Sequence, residues 1–169
     1  MAWNTGKNSE NYVLDTSSFI SLESISILER VLKLFSVTTT KSVVKELEEF
    51  AKFDDKYGKI AKKVLKMKGE FIIEQCEATE SIRYIEVTDN ELYNLALKKK
   101  LPLITDETKI VHHTRNKIDV YFTPLFLILL AEARYFTKND ALDKLEMLRG
   151  IRNWRNNIIY LTAKKALEE

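Results

Sequence analysis

Five acidic side chains stand near the ends of predicted strands and are the residues best suited to chemistry. Asp15 ends the apolar stretch 12–14 and is followed by small hydroxyl residues in "DTSS". Glu46 lies about one helical turn beyond "SVTTT", Asp89 opens a predicted helix in "VTDNEL", and Asp106 and Glu107 directly follow "LPLIT". Four separate strand-to-helix connections therefore each carry a carboxylate.

Carboxylates that lie together repel one another, and their pKa values rise unless a cation neutralises them. Mg²⁺ and Mn²⁺ prefer oxygen ligands, and such an ion can activate water and stabilise charge on a phosphodiester. Cys76 is the single cysteine, which excludes an internal disulfide and disfavours a zinc site. Each acid alone also fits a helix cap, a helix-dipole partner or a solvated helix face. The combination is what indicates a metal site.

Strand-like and helix-like segments alternate along the chain. The apolar spacing predicts strands at 12–14, 36–40, 71–74, 101–105 and 118–122. It predicts helices at 22–34, 42–53, 57–68, 88–100 and 107–114, one starting at Pro124, one capped by Thr137 and Asp140, and one at 151–167. Thr88 and Glu91 match a capping box for the helix at 88–100. Residues 79–87 fit either a short helix or a strand.

This alternation predicts the α/β class, as a three-layer α/β/α sandwich around a central, mainly parallel sheet of four to five strands. Ligand sites in such sheets lie outside the carboxyl ends of the strands, where the five acids are expected. Residues 1–10 are polar and without periodicity, which predicts a flexible N-terminus. Residues 11–169 are predicted to form a single domain that includes the C-terminal helices.

The composition limits the classes of protein that need consideration. The 169 residues are 45% hydrophobic and 31% charged, which suits one folded domain and excludes a disordered chain. A net charge of +2 predicts no particular partner. No apolar run approaches the roughly 20 residues that span a bilayer, and no secretory signal is recognisable. These features predict a cytoplasmic protein without a membrane partner.

Four motifs in order resemble those of the PIN-domain ribonucleases. "VLDTSSFI" is similar to the opening strand of that family, and "TTTKSVVKELEEF" to its Val-x-x-Glu-Leu motif, with Glu46 in the acid position. "TDNELYNLAL" matches Asp-x-x-Leu-x-x-Leu-Ala through Asp89, and "LPLITDETKI" matches the strand that ends in Thr-Asp-Asp or Thr-x-Asp. The resemblance covers residues 11 to 122 and extends in outline to the C-terminal helices.

The resemblance implies a PIN-like α/β/α sandwich that hydrolyses RNA phosphodiesters with Mg²⁺ or Mn²⁺. It implies that the five acids are both the catalytic residues and the metal ligands, with Asp106 and Glu107 as alternatives for the last position. Small hydroxyl residues are implied to support the acids by hydrogen bonding, namely Thr16, Ser17 and Thr105. This chain has Glu107 where many members carry a second Asp, and Glu86 where the ribosomal-RNA maturation branch usually has Ser.

Two branches of the family fit the sequence. The rRNA-maturation branch shares the stretch from Thr88 to Glu107, but it typically carries a zinc ribbon that a single cysteine cannot supply. The VapC-like branch of toxin–antitoxin pairs implies an antitoxin protein and a homodimer as partners, besides the RNA substrate. The additional helices after residue 140 resemble those of toxin-like members.

Basic residues suggest a path for RNA, each with an ordinary alternative. Lys62 and Lys63 lie on a lysine-rich helix that suits either phosphate contacts or a solvated surface. Arg149, Arg152 and Arg155 flank Trp154, which suits either RNA stacking or a buried tryptophan with arginines outside. There are two rival functions. One is a catalytically weak or inactive PIN-like module that keeps the fold and binds RNA or protein, and the other is a phosphoacceptor receiver, which also places acids at strand ends. The receiver is discounted because "SVTTT" ends without an acid.

Overall fold

A computed structural model of the protein describes residues 10–114 and 116–169. The chain forms two compact units, of which the first ends at Tyr121 and the second begins at Phe122. That they fold as one cooperative domain stays a prediction. The predicted flexible N-terminus lies outside the described residues except for Glu10, whose carbonyl accepts a 3.1 Å hydrogen bond from the backbone of Ser36.

The first unit is built on a five-stranded parallel sheet. Its strands are β1 (Asn11–Leu14), β2 (Ser36–Thr40), β3 (Ile72–Glu74), β4 (Leu103–Ile104) and β5 (Val120–Tyr121). They lie in the order β3-β2-β1-β4-β5, and every neighbouring pair is parallel. The predicted strands are therefore all confirmed, although β4 and β5 are each only two residues long.

The strand order places β1 where the direction of winding reverses. From β1 the chain moves outward to β2 and β3, and it then returns to β4 on the other side of β1 before reaching β5. Connections on the two sides of such a point run over opposite faces of the sheet, and a crevice opens at the carboxyl end between the central strands. Asp15 is the residue directly beyond that end of β1.

Helices cover the sheet and complete the predicted α/β/α sandwich. The first unit contains α1 (Thr16–Ser24), α2 (Leu28–Leu34), α3 (Lys41–Phe50), α4 (Lys56–Lys66), α5 (Val87–Lys99) and α6 (Thr108–Thr114). Helices α1, α3 and α4 pack on one another, whereas α5 packs on β1, β2 and β4. No helix in the described part of the chain is long and apolar enough to cross a membrane.

The predicted helix at 22–34 is wrong in its bounds, because two helices occupy residues 16 to 34. Asp15 accepts a hydrogen bond from the backbone of Ser18 and starts α1 at Thr16, so the hydroxyl residues form a first helical turn and not a loop. Ser26 has a positive φ of 58° and separates α1 from α2. The apolar spacing across this break continues on both helices, which is why the sequence alone suggested one.

The Thr88–Glu91 capping box is also wrong. Helix α5 starts at Val87, its N-cap is Glu86, and no side chain caps it. The side-chain amide of Asn90 instead donates to the carbonyl oxygens of Ile85 and Glu86 at 3.1 and 3.2 Å. Of residues 79–87, which the sequence left open, 79–86 contain neither helix nor strand and Val87 begins α5.

Three helices that contact one another form the described part of the second unit. They are α7 (Leu125–Glu132), α8 (Lys138–Arg152) and α9 (Ile158–Glu168). The predicted cap is confirmed, since Thr137 and Asp140 form a capping box at the start of α8. The predicted helix at 151–167 is wrong at its start, because α8 continues to Arg152 and Asn153 ends it in the left-handed conformation with φ 54°.

The backbone of the turn between α3 and α4 packs closely against Gly58, so a substitution at Gly58 tests how much this packing contributes to stability. A Cβ atom at Gly58 would lie 2.0 Å from the carbonyl oxygen of Phe53, so Gly58→Ala must displace backbone. We expect it to lower the free energy of unfolding by about 1–3 kcal/mol in a denaturant titration. Gly69→Ala is the control, since nothing lies within 4 Å of that position, and it should change stability by less than about 0.5 kcal/mol. Equal effects of the two substitutions would contradict the close packing.

Candidate metal centre

Asp15 is held at the carboxyl end of β1 by a set of hydrogen bonds. Its side chain is only 4% exposed, and it accepts hydrogen bonds from the backbone of Ser18 at 2.7 Å, from the hydroxyl of Ser17 at 2.8 Å and from the hydroxyl of Thr105. The pKa of Asp15 is raised to about 6, chiefly by burial, with the hydrogen bonds from Thr105 and Ser18 lowering it and the negative charge of Asp106 raising it. The carboxylate is thus fixed in position and costly to keep charged.

The same hydroxyl groups connect β1 to the segment after β4. Asp106 is buried, and its carboxylate accepts a 2.8 Å hydrogen bond from Ser21 on α1. The backbone N–H of Asp106 donates to the hydroxyl of Ser17 at 3.1 Å, and that of Glu107 donates to the hydroxyl of Thr105 at 3.0 Å. Asp106 therefore points into the protein beside Asp15, whereas the Glu107 side chain is exposed.

Glu46 reaches this region from α3. Its half-buried carboxylate accepts a hydrogen bond from the hydroxyl of Thr16, the first residue of α1. Thr40 caps α3 through a hydrogen bond from the backbone of Val43, so the carboxyl end of β2 leads directly into the helix that carries Glu46. Adjacent parallel strands β1 and β2 therefore bring Glu46 and Asp15 to the same edge of the sheet.

Asp89 shows how close the acids lie to one another. Its pKa is raised to about 7, first by burial and then by the negative charges of Asp15, Glu107, Glu46 and Glu86. No hydrogen bond from a described residue reaches the Asp89 carboxylate, which lies in the first turn of α5. Electrostatic repulsion by four other acids is typical of a site that binds a cation.

The acids form an electrostatic cluster and not a ready-made coordination shell. Among the described residues, no three carboxylate, imidazole or thiol groups lie close enough together to hold one metal ion as they stand. The donor chemistry nonetheless fits Mg²⁺ or Mn²⁺, because the oxygen ligands are hard and two of the acids have raised pKa values. A hydrated ion needs fewer direct protein ligands, since Mg²⁺ usually keeps several waters.

Two buried asparagines on α5 hold the loop that leads to Asp89. The side-chain oxygen of Asn94 accepts hydrogen bonds from the backbone of Thr79 and Glu80 at 3.1 and 2.9 Å, and its amide donates to the Glu80 carbonyl at 2.7 Å. Asn90, one turn earlier, accepts a 2.6 Å hydrogen bond from the backbone of Ile82. These contacts fix residues 79–86 and thereby place Glu86 beside Asp89.

The predicted RNA-binding residues lie in two different units. Lys62 and Lys63 are exposed on α4 in the first unit. Arg149 and Arg152 lie on α8 and Arg155 follows it in the second unit, where Arg149 pairs with Glu146 at 2.7 Å. Trp154 is 6% exposed, so it is a buried tryptophan with arginines outside and is not available for stacking.

Sequence reasoning missed one residue that contacts the acids. Ser21 supports Asp106, and it lies four residues after Ser17 on the same face of α1. If Asp15 is taken as the cap of a helix that starts at Thr16, Ser17 and Ser21 fall one turn apart on the same face of that helix. Glu86, which the sequence singled out as a departure from the rRNA-maturation branch, is the N-cap residue of α5, and its negative charge raises the pKa of Asp89.

Comparisons with known proteins give matches to solved structures alone. No family model matches the chain, and no curated protein matches it. A PilT N-terminus domain protein from the hyperthermophilic archaeon Sulfolobus solfataricus P2 is 13% identical, with a TM-score of 0.49 over 67% of this chain and 87% of that one. A domain of a functionally unknown protein from Methanocaldococcus jannaschii is 20% identical, with a TM-score of 0.49 over 68% and 91%.

A third structure is VapBC2 from Rickettsia felis, solved bound to a DNA fragment from its promoter. It is 16% identical, with a TM-score of 0.48 over 66% of this chain and 98% of that one. At such identities the likeness concerns fold and not activity. The five-stranded parallel sheet with helices on both faces is the α/β/α arrangement that the sequence predicts, whereas the strand order β3-β2-β1-β4-β5 is a finding of the structure. The protein therefore has the predicted α/β/α fold around a parallel sheet.

Proposed function

We propose that this protein is a Mg²⁺- or Mn²⁺-dependent endoribonuclease of the PIN type. The observation that supports this best is the convergence of carboxylates from four strand-to-helix connections at the carboxyl edge of the sheet. There the charges of Asp15, Glu46, Glu86 and Glu107 all raise the pKa of Asp89. A cluster of this kind is stabilised by a divalent cation, and RNA is a substrate whose hydrolysis such a cation assists.

The residues would divide the work according to their surroundings. Asp15, Glu46, Asp89 and either Asp106 or Glu107 would hold the ion, which supplies water activation and neutralises charge on the phosphodiester. Thr16, Ser17 and Thr105 keep the carboxylates oriented through the hydrogen bonds described above. Ser21 holds Asp106 turned inward, so the exposed Glu107 is the member of the pair with more freedom to reach a ligand.

The second candidate function is a PIN-like module that binds RNA or protein without cleaving it. It is favoured by one observation, namely that no three of the described acidic, histidine or cysteine side chains stand at a common coordination distance. Glu86 adds a further negative charge beside Asp89 and would be expected to weaken cleavage by crowding the site.

Cleavage of a mixed pool of RNA fragments by the purified chain separates the two functions. We expect products with 5′-phosphate ends in the presence of Mg²⁺ or Mn²⁺, and at least a 100-fold slower reaction after the ion is removed with EDTA. Restoring the ion should restore the rate. A chain that is inert with every divalent ion tested, or whose cleavage persists unchanged in EDTA, would overturn the metal-dependent nuclease and favour the binding module or a contaminant.

Two biological roles fit the proposed function: a toxin of a toxin–antitoxin pair and an RNA-processing nuclease. The toxin role requires an antitoxin protein and implies a homodimer, and both roles place the protein in the cytoplasm with RNA. A small gene for a DNA-binding antitoxin directly upstream, with co-purification of its product, would favour the toxin. Absence of such a neighbour would favour RNA processing.

A further inference from the structure

An open groove runs from the acidic cluster along α3 to a pair of exposed aromatic rings. Lys45, Glu46 and Phe50 line it from α3, Phe53 lies just beyond that helix, and Glu86 and Thr88 form the opposite wall at the start of α5. Its volume is about 560 Å³, large enough for a nucleotide-sized group. We call this feature the aromatic groove.

The aromatic end of the groove is exposed and held firmly. Phe50 is 43% and Phe53 is 63% exposed, so both rings present apolar surface to water. The backbone at Phe53 is packed directly on Gly58 of α4, and its N–H donates to the carbonyl of Phe50 at 3.1 Å. Two exposed rings on a closely packed turn form a surface on which a flat group can stack.

The other end of the groove belongs to the acidic cluster. Glu46 lines the groove and also acts on Asp89, while Thr88 is the residue directly before Asp89. Lys45 adds an exposed cation along the wall, and the nearby Glu49 is paired with Lys52 at 2.6 Å, which offsets its charge. A ligand that fills the groove therefore needs a flat aromatic part joined to an anionic part that a bound cation and Lys45 attract.

A nucleotide of a single-stranded RNA has this composition. Its base offers a free face for stacking, and its phosphate can lie towards the acids, whereas the bases of a duplex are already paired and stacked. We propose that Phe50 and Phe53 form a base-stacking subsite for single-stranded RNA beside the metal centre. The placement of the phosphate towards the acids rests on the proposed nuclease function, whereas the stacking of the base on the two rings does not.

Binding of a labelled single-stranded 12-nucleotide RNA, followed by fluorescence anisotropy with Mg²⁺ present, tests the subsite. All proteins carry Asp89→Asn so that the RNA is not cut. We expect Phe53→Ala to weaken binding about 5- to 100-fold, and Phe50→Ala to act in the same direction. Phe53→Trp should keep the affinity, while Phe53→Leu should not, because stacking needs a flat ring. The duplex form of the same RNA should bind weakly to every variant.

Tyr121→Ala is the matched control, since it removes a ring of similar exposure, 44%, from β5 and should leave the affinity unchanged. Equal affinity of Phe53→Ala and its parent would overturn the proposal. A Phe53→Ala variant that loses self-association in light scattering but binds RNA as its parent does would also overturn the proposal, because the rings would then belong to a protein interface. If Phe53→Ala weakens binding but the unsubstituted chain cleaves no RNA, the subsite is supported and the nuclease function is rejected. If the chain cleaves RNA and Phe53→Ala leaves the cleavage rate unchanged, the nuclease function is supported and the subsite is rejected.

Discussion

Asp15→Asn is expected to slow metal-dependent RNA cleavage by about 100- to 1,000-fold or more, while the protein stays folded. Asp15 lies at the carboxyl end of the central strand, so its charge faces the place where the acids meet. Asparagine keeps the shape of the side chain and remains a good helix cap, which limits the effect on stability. Initial rates on one RNA substrate at saturating Mg²⁺, together with a thermal melt, measure both quantities.

Asp55→Asn is a close structural control for this substitution. Asp55 caps α4 by accepting a 2.7 Å hydrogen bond from the backbone of Gly58, as Asp15 caps α1 through Ser18 at the same distance. It lies outside the acidic cluster, so its substitution should leave the cleavage rate within about twofold. Similar losses in both variants would mean that capping, and not the charge of Asp15, explains the effect.

Asp89→Asn is expected to raise the free energy of unfolding by about 1–2 kcal/mol in metal-free buffer at pH 8. Stability increases because the variant removes one charge from the repelling acids. The expected gain is kept small because Asp89 is half-exposed and solvent screens its charge. With Mg²⁺ present the unsubstituted protein should become the more stable of the two. An ion that binds it stabilises it by about 2.7 kcal/mol when the ion concentration is 100 times the dissociation constant. Asp143→Asn, an exposed acid of α8, should show neither effect.

The pH dependence of this difference has a defined sign. The folded protein raises the pKa of Asp89 to about 7, so between roughly pH 4 and pH 7 the folded state binds more protons than the unfolded chain. The stability of the metal-free protein should therefore fall as the pH rises through this window, and Asp15, whose pKa is about 6, adds to the fall. Denaturant titrations should give a smaller pH slope for Asp89→Asn. An equal slope in both proteins would contradict a repelling cluster at Asp89.

The sequence by itself determined the class of the fold and predicted that acids follow the ends of several strands. Alternation of apolar strands with amphipathic helices leaves few arrangements other than a parallel sheet between helices, and acids at strand ends must then fall on one edge. The hydroxyl residues of "DTSS" were recognisable as partners of Asp15, but not as the first turn of α1. Local patterns could not separate α1 from α2, because apolar residues at near-helical spacing continue across the break at Ser26.

The tertiary structure alone decided the strand order, and with it which acids become neighbours. Pairing of β1 with both β2 and β4 depends on contacts between residues far apart in sequence, such as Val13 with Thr38 and with Leu103. The inward turn of Asp106 towards Ser21 and the effect of Glu86 on Asp89 likewise come from long-range packing. Periodicity reports which face of an element is buried, but not the element that covers it, so these features required the folded chain.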